Sequence, residues 1–306
     1  WVAGNKVGKI LESILLISMV SPPFVSSLAY IQLFGRNGLI TKRVLGLSIN
    51  PYGWVGVVVM QTLFFASLNA LMIIGMLRKV DMSLVSASAD LGAGSGYTLW
   101  RIVVPLLRPI LLSCFLLSFI RSVSDYGTPV VIGGRFETVS TEIYMQVIGY
   151  SRLDKSAALN VLILIPAILV FAAYRYLMKK NERLISGNSN KTMESGDSYR
   201  VKGLSAVVVW LGAAVFYVMM ALVYGSIFLN SFTKNMRGKL KFTTEYLDAL
   251  LERNMDTFIR SVEYALVVAV VGSLIGILLS YYIDRRKIRF GGLLDFIITM
   301  PYMLPG

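Results

Sequence analysis

Few residues in this chain can do acid–base, nucleophilic or metal chemistry. It has no histidine and a single cysteine, Cys114. That removes a histidine-based catalytic site, a zinc site and an intrachain disulfide. Cys114 lies among Leu and Phe, where a thiol is packing. Asp125 and Tyr126, in Ser124-Asp125-Tyr126-Gly127-Thr128-Pro129, are hard oxygen donors of the kind that suit a highly charged cation. The simpler reading pairs Asp125 with Arg121 one turn away, with Gly127 and Pro129 ending the helix. Gln61, Asn69 and Asn160 are amides inside apolar stretches. Each either faces a pathway or hydrogen-bonds a neighbouring helix, and the sequence leaves both readings open. Gly92-Ala93-Gly94-Ser95-Gly96 invites comparison with a phosphate cradle, but no Gly-Lys-Ser/Thr occurs anywhere in the chain. Tyr97 also stands where the third glycine of a dinucleotide fingerprint belongs. Neither a catalytic set nor a nucleotide or metal site is expected on this chain.

The elements that must carry these residues follow from composition. Of 306 residues, 56% are hydrophobic and only 15% charged, with a mean hydropathy of +0.67. A water-soluble fold of this size needs more charged surface, and a disordered chain has far fewer apolar residues. A span needs about 20 mostly apolar residues. Uncharged runs long enough for that lie between Glu12 and Arg36, Arg43 and Arg78, Lys155 and Arg175, Lys202 and Lys234, and Glu263 and Asp284. Leu106–Ser124 is a further span, with Arg108 and Arg121 near its ends, where long side chains reach the interface. Another run starts at Asp295, which makes six spans and the start of a seventh.

Orientation comes from the basic residues. Lys6 and Lys9 precede the first span, and Arg78, Lys79, Arg101 and Arg108 surround the second connection. The stretch Lys179–Lys202 is crowded with cations, and Arg285, Arg286, Lys287 and Arg289 follow the sixth span. Alternate loops are therefore basic and assigned to the cytoplasm. The opposite loops are mixed: Arg121–Lys155 holds four positive and four negative residues, Lys234–Arg260 six and four. Arg36, Lys42 and Arg43 run against the rule. The net charge of +13 is thus a topological signal and not a nucleic-acid footprint.

Lys179–Lys202 is polar and rich in Ser, Gly and Asn, the composition of a flexible joint between two membrane halves. Leu11, Glu12, Ile14 and Pro22 correspond to Leu294, Asp295, Ile297 and Pro305 at an offset of 283, a weak internal repeat of the kind many transporters show. Pro22-Pro23 and Pro166 are expected to kink or break their helices. The opening at Trp1 and the end inside an apolar run lead us to expect a window cut from a longer protein, with further spans on both sides.

The second connection carries the most specific pattern. It reads Ser86-Ala87-Ser88-Ala89-Asp90-Leu91-Gly92, nine residues, then Ile102-Val103-Val104-Pro105. Asp81 or Ser83 can cap a short helix that Gly92 ends in the left-handed conformation. A second short helix can start at Ser95 and must stop by Pro105, which lacks an N–H donor. Two short helices with a glycine hinge, presenting a small apolar and acidic face, fit a groove on a partner.

These intervals resemble the EAA loop of ATP-binding-cassette importer permeases, whose pattern is Glu-Ala-Ala, three residues, Gly, nine residues, Ile-x-Leu-Pro. Here Ser86 replaces the Glu, Ser88 the second Ala and Val104 the Leu, while Gly92, Ile102 and Pro105 stand. The following stretch, Leu106 to Gly134, resembles the fused two-half ferric-iron transport permeases. The resemblance implies an all-α polytopic membrane bundle, the transmembrane domain of a type I importer, in two tandem repeated halves, both incomplete. It implies a first half over 1–178 with its last four spans and the loop 83–105, a cytoplasmic linker over 179–203, and a truncated second half over 204–306. It implies a multi-pass protein of the bacterial inner membrane whose loop (Ser86, Ala87, Ser88, Asp90, Leu91, Gly92, Ile102, Pro105) docks on a cytoplasmic ATPase dimer. ATP and magnesium are expected on that partner. A periplasmic or lipid-anchored binding protein would deliver substrate, ferric iron by resemblance, with thiamine, polyamine and phosphonate as alternatives. The substrate path would take in Asp125, Tyr126, Gln61, Asn69 and Asn160. A gradient-driven transporter is the rival class, but its ionisable residues belong mid-span, and here they cluster near span ends.

Overall fold

The computed structural model describes residues 5–20, 23–47, 50–78, 82–186, 204–236 and 239–286, with isolated positions beyond. The described residues are all-α apart from one two-stranded hairpin. Among the described residues, five helices are long and apolar enough to cross a membrane: Trp54–Leu77, Ser95–Ser124, Leu153–Leu177, Ala206–Ser231 and Met255–Ile283. The linker expected from Lys179 begins as a continuation of a helix that runs to Ser186, and its remainder, like most of the run from Asp295, lies outside the described residues.

The first expected span is a bent pair. Helix α1 (Asn5–Val20) and helix α2 (Pro23–Phe34) meet at 104° across the prolines that the sequence marks as breakers. Helix α3 (Trp54–Leu77) runs antiparallel to α1 and shows how deep the bend lies. Glu12 of α1 is ion-paired at 2.5 Å with Arg78, which caps the C-terminus of α3, while the Ser18 and Ser67 hydroxyls meet at 2.6 Å. Eleven residues of α3 separate those contacts, about 16 Å of helix, which is roughly half the apolar thickness of a bilayer. Helix α1 therefore stops partway through, and α2 turns aside where a straight span would continue. A six-residue π turn, Leu39–Val44, follows α2.

Helix α4 (Met82–Asp90) forms the first part of the connecting loop. Helix α5 (Ser95–Thr98) then runs through a π turn (Leu99–Val103) into helix α6 (Val104–Ser124), so that 95–124 form one continuous rod. The stop expected at Pro105 does not occur. Pro105 sits in the first turn of α6, directly after the π turn. Ahead of it Val104 donates five residues back, to the Leu99 carbonyl, and this wider turn accommodates the ring that an ordinary α turn would crowd. Pro109 and Pro166 are likewise passed without a break, the latter inside helix α9 (Leu153–Ser186). Between α6 and α9 lie two short helices, α7 (Gly127–Ile132) and α8 (Val139–Tyr144). Gly127 and Pro129 thus open a new helix after the break at Asp125–Tyr126.

The helices pack through two apolar clusters at opposite ends of α3. Near its N-terminus, Tyr30, Met60 and Ile132 are buried with Phe34, Tyr52 and Val131 around them. Near its C-terminus, Val85, Val103, Leu107, Ile110 and Cys114 are buried against Met72, Ile73, Met76, Leu77 and Leu99. Between the clusters the seams are lined by small hydroxyl residues, among them Ser18, Ser67 and Ser113, which let helices approach closely where no water competes. Outward faces such as Val55, Val58, Leu112, Phe115, Leu162 and Leu169 stay exposed, as a lipid-facing bundle requires.

The chain divides into two compact units, 1–224 and the stretch from Gly225 onward. In the first, helix α10 (Leu204–Ser231) lies against α1: the Tyr217 and Tyr224 hydroxyls donate to the carbonyls of Leu11 and Ser18, at 3.2 and 3.1 Å. In the second, strands β1 (Thr233–Met236) and β2 (Lys239–Phe242) pair antiparallel with Thr233 opposite Phe242, and Phe232 stacks on Phe242. Helix α11 (Glu245–Arg253) and helix α12 (Met255–Ser280) follow, the latter apolar on every side after Glu263, as a membrane helix is.

Candidate functional site

The loop after α3 is built from its caps inward. Gly92 adopts φ +79°, the left-handed conformation that only glycine takes cheaply. With Gly92 turning the chain, its N–H reaches the Ala89 carbonyl at 2.9 Å and the Ala93 N–H reaches Ser88 at 3.1 Å. That pair of bonds is a Schellman cap, and it satisfies carbonyls that the end of α4 would leave orphaned. The helix begins at Met82, one residue before Ser83, and Asp81 lies outside the described residues.

Helix α4 has two unlike faces. Val85 and Ser88 turn inward and are 1% and 6% exposed. Val85 joins the apolar cluster with Val103 and Leu107. The Ser88 hydroxyl meets that of Thr98 at 2.8 Å, and Thr98, wholly buried, also donates to the Gly94 carbonyl. Ser86, Ala87, Asp90 and Leu91 face outward. Leu84, Ala87 and Leu91 fall at i, i+3 and i+7, the spacing by which a short helix lays an apolar edge into a groove. Leu91, at the tip, is 88% exposed, unusual for a leucine unless something covers it. Ile102 and Pro105 are half-buried at the foot of α6 and belong to the mounting of the loop, not to its outer face.

The other candidate residues gather at the far end of the same helices. Gln61 of α3 is buried and spans to α6: its amide donates to Asp125 Oδ2 at 3.0 Å and its carbonyl accepts from Ser122 at 2.7 Å. The second oxygen, Asp125 Oδ1, accepts the Thr128 N–H at 3.2 Å. Asp125 is therefore held by the amide of a neighbouring helix and by the first turn of α7. Tyr126 stacks on Tyr144 of α8 with ring centres 5.0 Å apart. Asn69, two turns further along α3, donates to Ser118 of α6 at 2.7 Å, while its own side-chain oxygen is buried without a hydrogen-bond partner. Asn160 stands apart, half-buried on α9. Gln61, Asp125 and Tyr126 thus form one cluster, Asn69 joins the same α3–α6 seam, and Asn160 belongs to neither. Among the described residues no three of His, Cys, Asp and Glu come together as a metal-ligand set.

Three participants escaped the sequence reading: Thr98, Ser118 and Ser122. The last two were legible in principle, since hydroxyls at i and i+4 of one apolar helix mark a face that bonds its neighbour. Thr98 carries no such signal, because its partner lies across a turn whose course only the structure shows.

Apolar helices of spanning length, a capped loop mounted on the following span and side-chain bonds across the seams define a polytopic helical membrane protein. Residues 1–186 match the family model described as binding-protein-dependent transport system inner membrane component, and the chain belongs to that family. It is 30% identical to the ferric transport system permease protein FbpB of Actinobacillus pleuropneumoniae, over 98% of this chain and 44% of that protein. A putative ferric transport system permease protein, FbpB 1 of Haemophilus influenzae, is likewise 30% identical over 98% of this chain and 48% of its own length. The molybdenum transport system permease protein ModB of Mycobacterium tuberculosis is 34% identical over 52% of this chain and 62% of its own. The chain spans about half the length of the ferric relatives it matches. No solved structure matches it.

Proposed function

We propose that this chain is the membrane-spanning permease part of an ATP-binding-cassette importer of the bacterial inner membrane, moving ferric iron inward by alternating access. The observation that carries the reading is the two-faced helix α4. Its inner face is fastened to the foot of α6, and its outer edge of Leu84, Ala87 and Leu91, flanked by Asp90, stands open at the basic end of the spans. A cytoplasmic ATPase dimer, holding ATP and magnesium, would take that edge into a cleft, and its closure would move the loop and rock the spans. A periplasmic or lipid-anchored binding protein would deliver the substrate on the opposite side, where the Gln61–Asp125 cluster lies. The halves would join through the linker 179–203.

Iron is favoured because the ferric relatives align over nearly the whole chain, whereas the molybdenum relative aligns over about half. A pore fed by a binding protein has no need of a tight cage, since strong binding in the path slows release. The test is reconstitution of the full-length protein with its ATPase in liposomes, reading ATP hydrolysis and radioactive iron uptake with and without binding protein. Wild type should stimulate hydrolysis, and Gly92→Pro and Asp90→Lys should abolish the stimulation. An ATPase that never associates, or variants that behave as wild type, would refute the coupling role. Uptake of molybdate or a polyamine in preference to iron would refute the substrate.

A further inference from the structure

Resting on the coupling reading above, we infer that the buried Ser88–Thr98 hydroxyl pair is a clasp that makes α4 and the foot of α6 one rigid lever. The segment between them, Leu91–Gly94, is exposed apart from the half-buried Ala93 and contains two glycines, one of them in the left-handed conformation. By itself such a segment is a soft joint, and a push on the outer edge of α4 would be lost in bending it. The clasp closes that joint. Ser88 and Thr98 meet at 2.8 Å across ten residues of chain, 6% and 0% exposed. The Thr98 hydroxyl also lies 3.3 Å from the Gly94 carbonyl. The bond thus runs from α4 through Thr98 into the turn itself. One turn before Ser88, Val85 inserts beside Val103, both essentially inaccessible, so an apolar contact and a polar one hold the same face.

The importer pattern described above has alanine at the position of Ser88. Alanine there would remove the Ser88–Thr98 bond and leave the Thr98 hydroxyl bonded to the Gly94 carbonyl of its own turn. The hydroxyl pair is therefore a positioning device of this chain, acting through the loop and not on substrate.

The decisive experiment uses the full-length chain with Cys114→Ala and spin labels at Ala89→Cys and Phe119→Cys, both exposed and lying on α4 and α6. With serine or threonine at position 98 the label-to-label distance distribution should be narrow. With the isosteric Thr98→Val, or with Ser88→Ala, it should broaden, and the double variant should be no broader than either single one. In liposomes, Thr98→Val should bind the ATPase as wild type does yet lose about three- to ten-fold of its stimulation of hydrolysis, the range that one hydrogen bond covers. Thr98→Ser should retain it. A Thr98→Val distribution as narrow as wild type, or a Thr98→Ser variant as broad as Thr98→Val, overturns the clasp. If no ATPase associates with the wild-type chain, the coupling reading falls by itself, and the distance measurement still decides whether the clasp exists.

Discussion

At the scale of single residues, two glycines with different reasons to be glycine make opposite predictions. Gly92 has φ +79° and open space where a Cβ would go. Gly92→Ala should cost only the left-handed backbone penalty, about 1–2 kcal/mol, and shift the unfolding midpoint slightly. Gly56, in the first turn of α3, has ordinary backbone geometry, but a Cβ there would stand 2.4 Å from the Pro51 carbonyl and 3.4 Å from the Tyr30 hydroxyl. Gly56→Ala must displace the Pro51 carbonyl in the loop ahead of α3 and should destabilise the detergent-solubilised protein more than Gly92→Ala does. A thermal-shift comparison checks the order. Gln61 offers a third test. Gln61→Leu removes both interhelical bonds and leaves Asp125 Oδ2 and Ser122 short of a partner, a loss of about 1–3 kcal/mol. Asn69→Leu breaks one such bond and should cost less, near the ~0.6 kcal/mol typical within membranes.

At the scale of elements, the ion pair between the hairpin and α11 predicts a pH response. Lys234 Nζ lies 2.7 and 2.9 Å from the two carboxylate oxygens of Glu245. That hydrogen bond, and then the charge of Glu245, raises the lysine pKa above its ordinary 10.5. A raised lysine pKa means the tie is fully present below the ordinary value and is lost as pH rises through the folded one. Proteolysis of the segment 232–253 should therefore be flat through neutral pH and accelerate in strongly alkaline buffer, and Lys234→Met should lack that step. Because both groups are exposed, the tie orders a loop more than it stabilises the chain. The π turn before α6 is the other element-level feature. Pro105 explains it locally, and it sets the rotation of α4 and α5 about the axis of α6.

For the whole molecule, the spans and basic loops predict a sidedness that reporter fusions can read. Fusions in the loop at 91–94 should report the cytoplasm, and fusions between Lys234 and Arg253 the opposite side. A loop 91–94 exposed outside would remove α4 from the reach of any cytoplasmic ATPase. Membership of the transport family accounts for the architecture of 1–186, and the ferric relatives extend the match through the remainder of the chain.

Much of this was legible from residue order alone, because a membrane span is a composition before it is a structure. Long uncharged runs located the spanning helices α3, α9, α10 and α12, and Gly92 marked the end of α4, since the cost of a left-handed turn acts on one residue without regard to its surroundings. The intervals to Ile102 and Pro105 marked the loop. Other features depended on partners far along the chain. Pro105 was expected to stop a helix, yet a π turn upstream let the rod continue, an accommodation that depends on geometry and not on propensity. Gln61 arrives at Asp125 from α3, 64 residues earlier in the chain, and holds one of its oxygens, a contact that no local spacing announces. The clasp at Thr98 was silent for the same reason. Hydrophobicity and backbone strain are properties each residue carries with it, so sequence determined the spans and the turn. Which polar atoms meet inside the bundle depends on helix rotation and register, and those are set only when the helices pack.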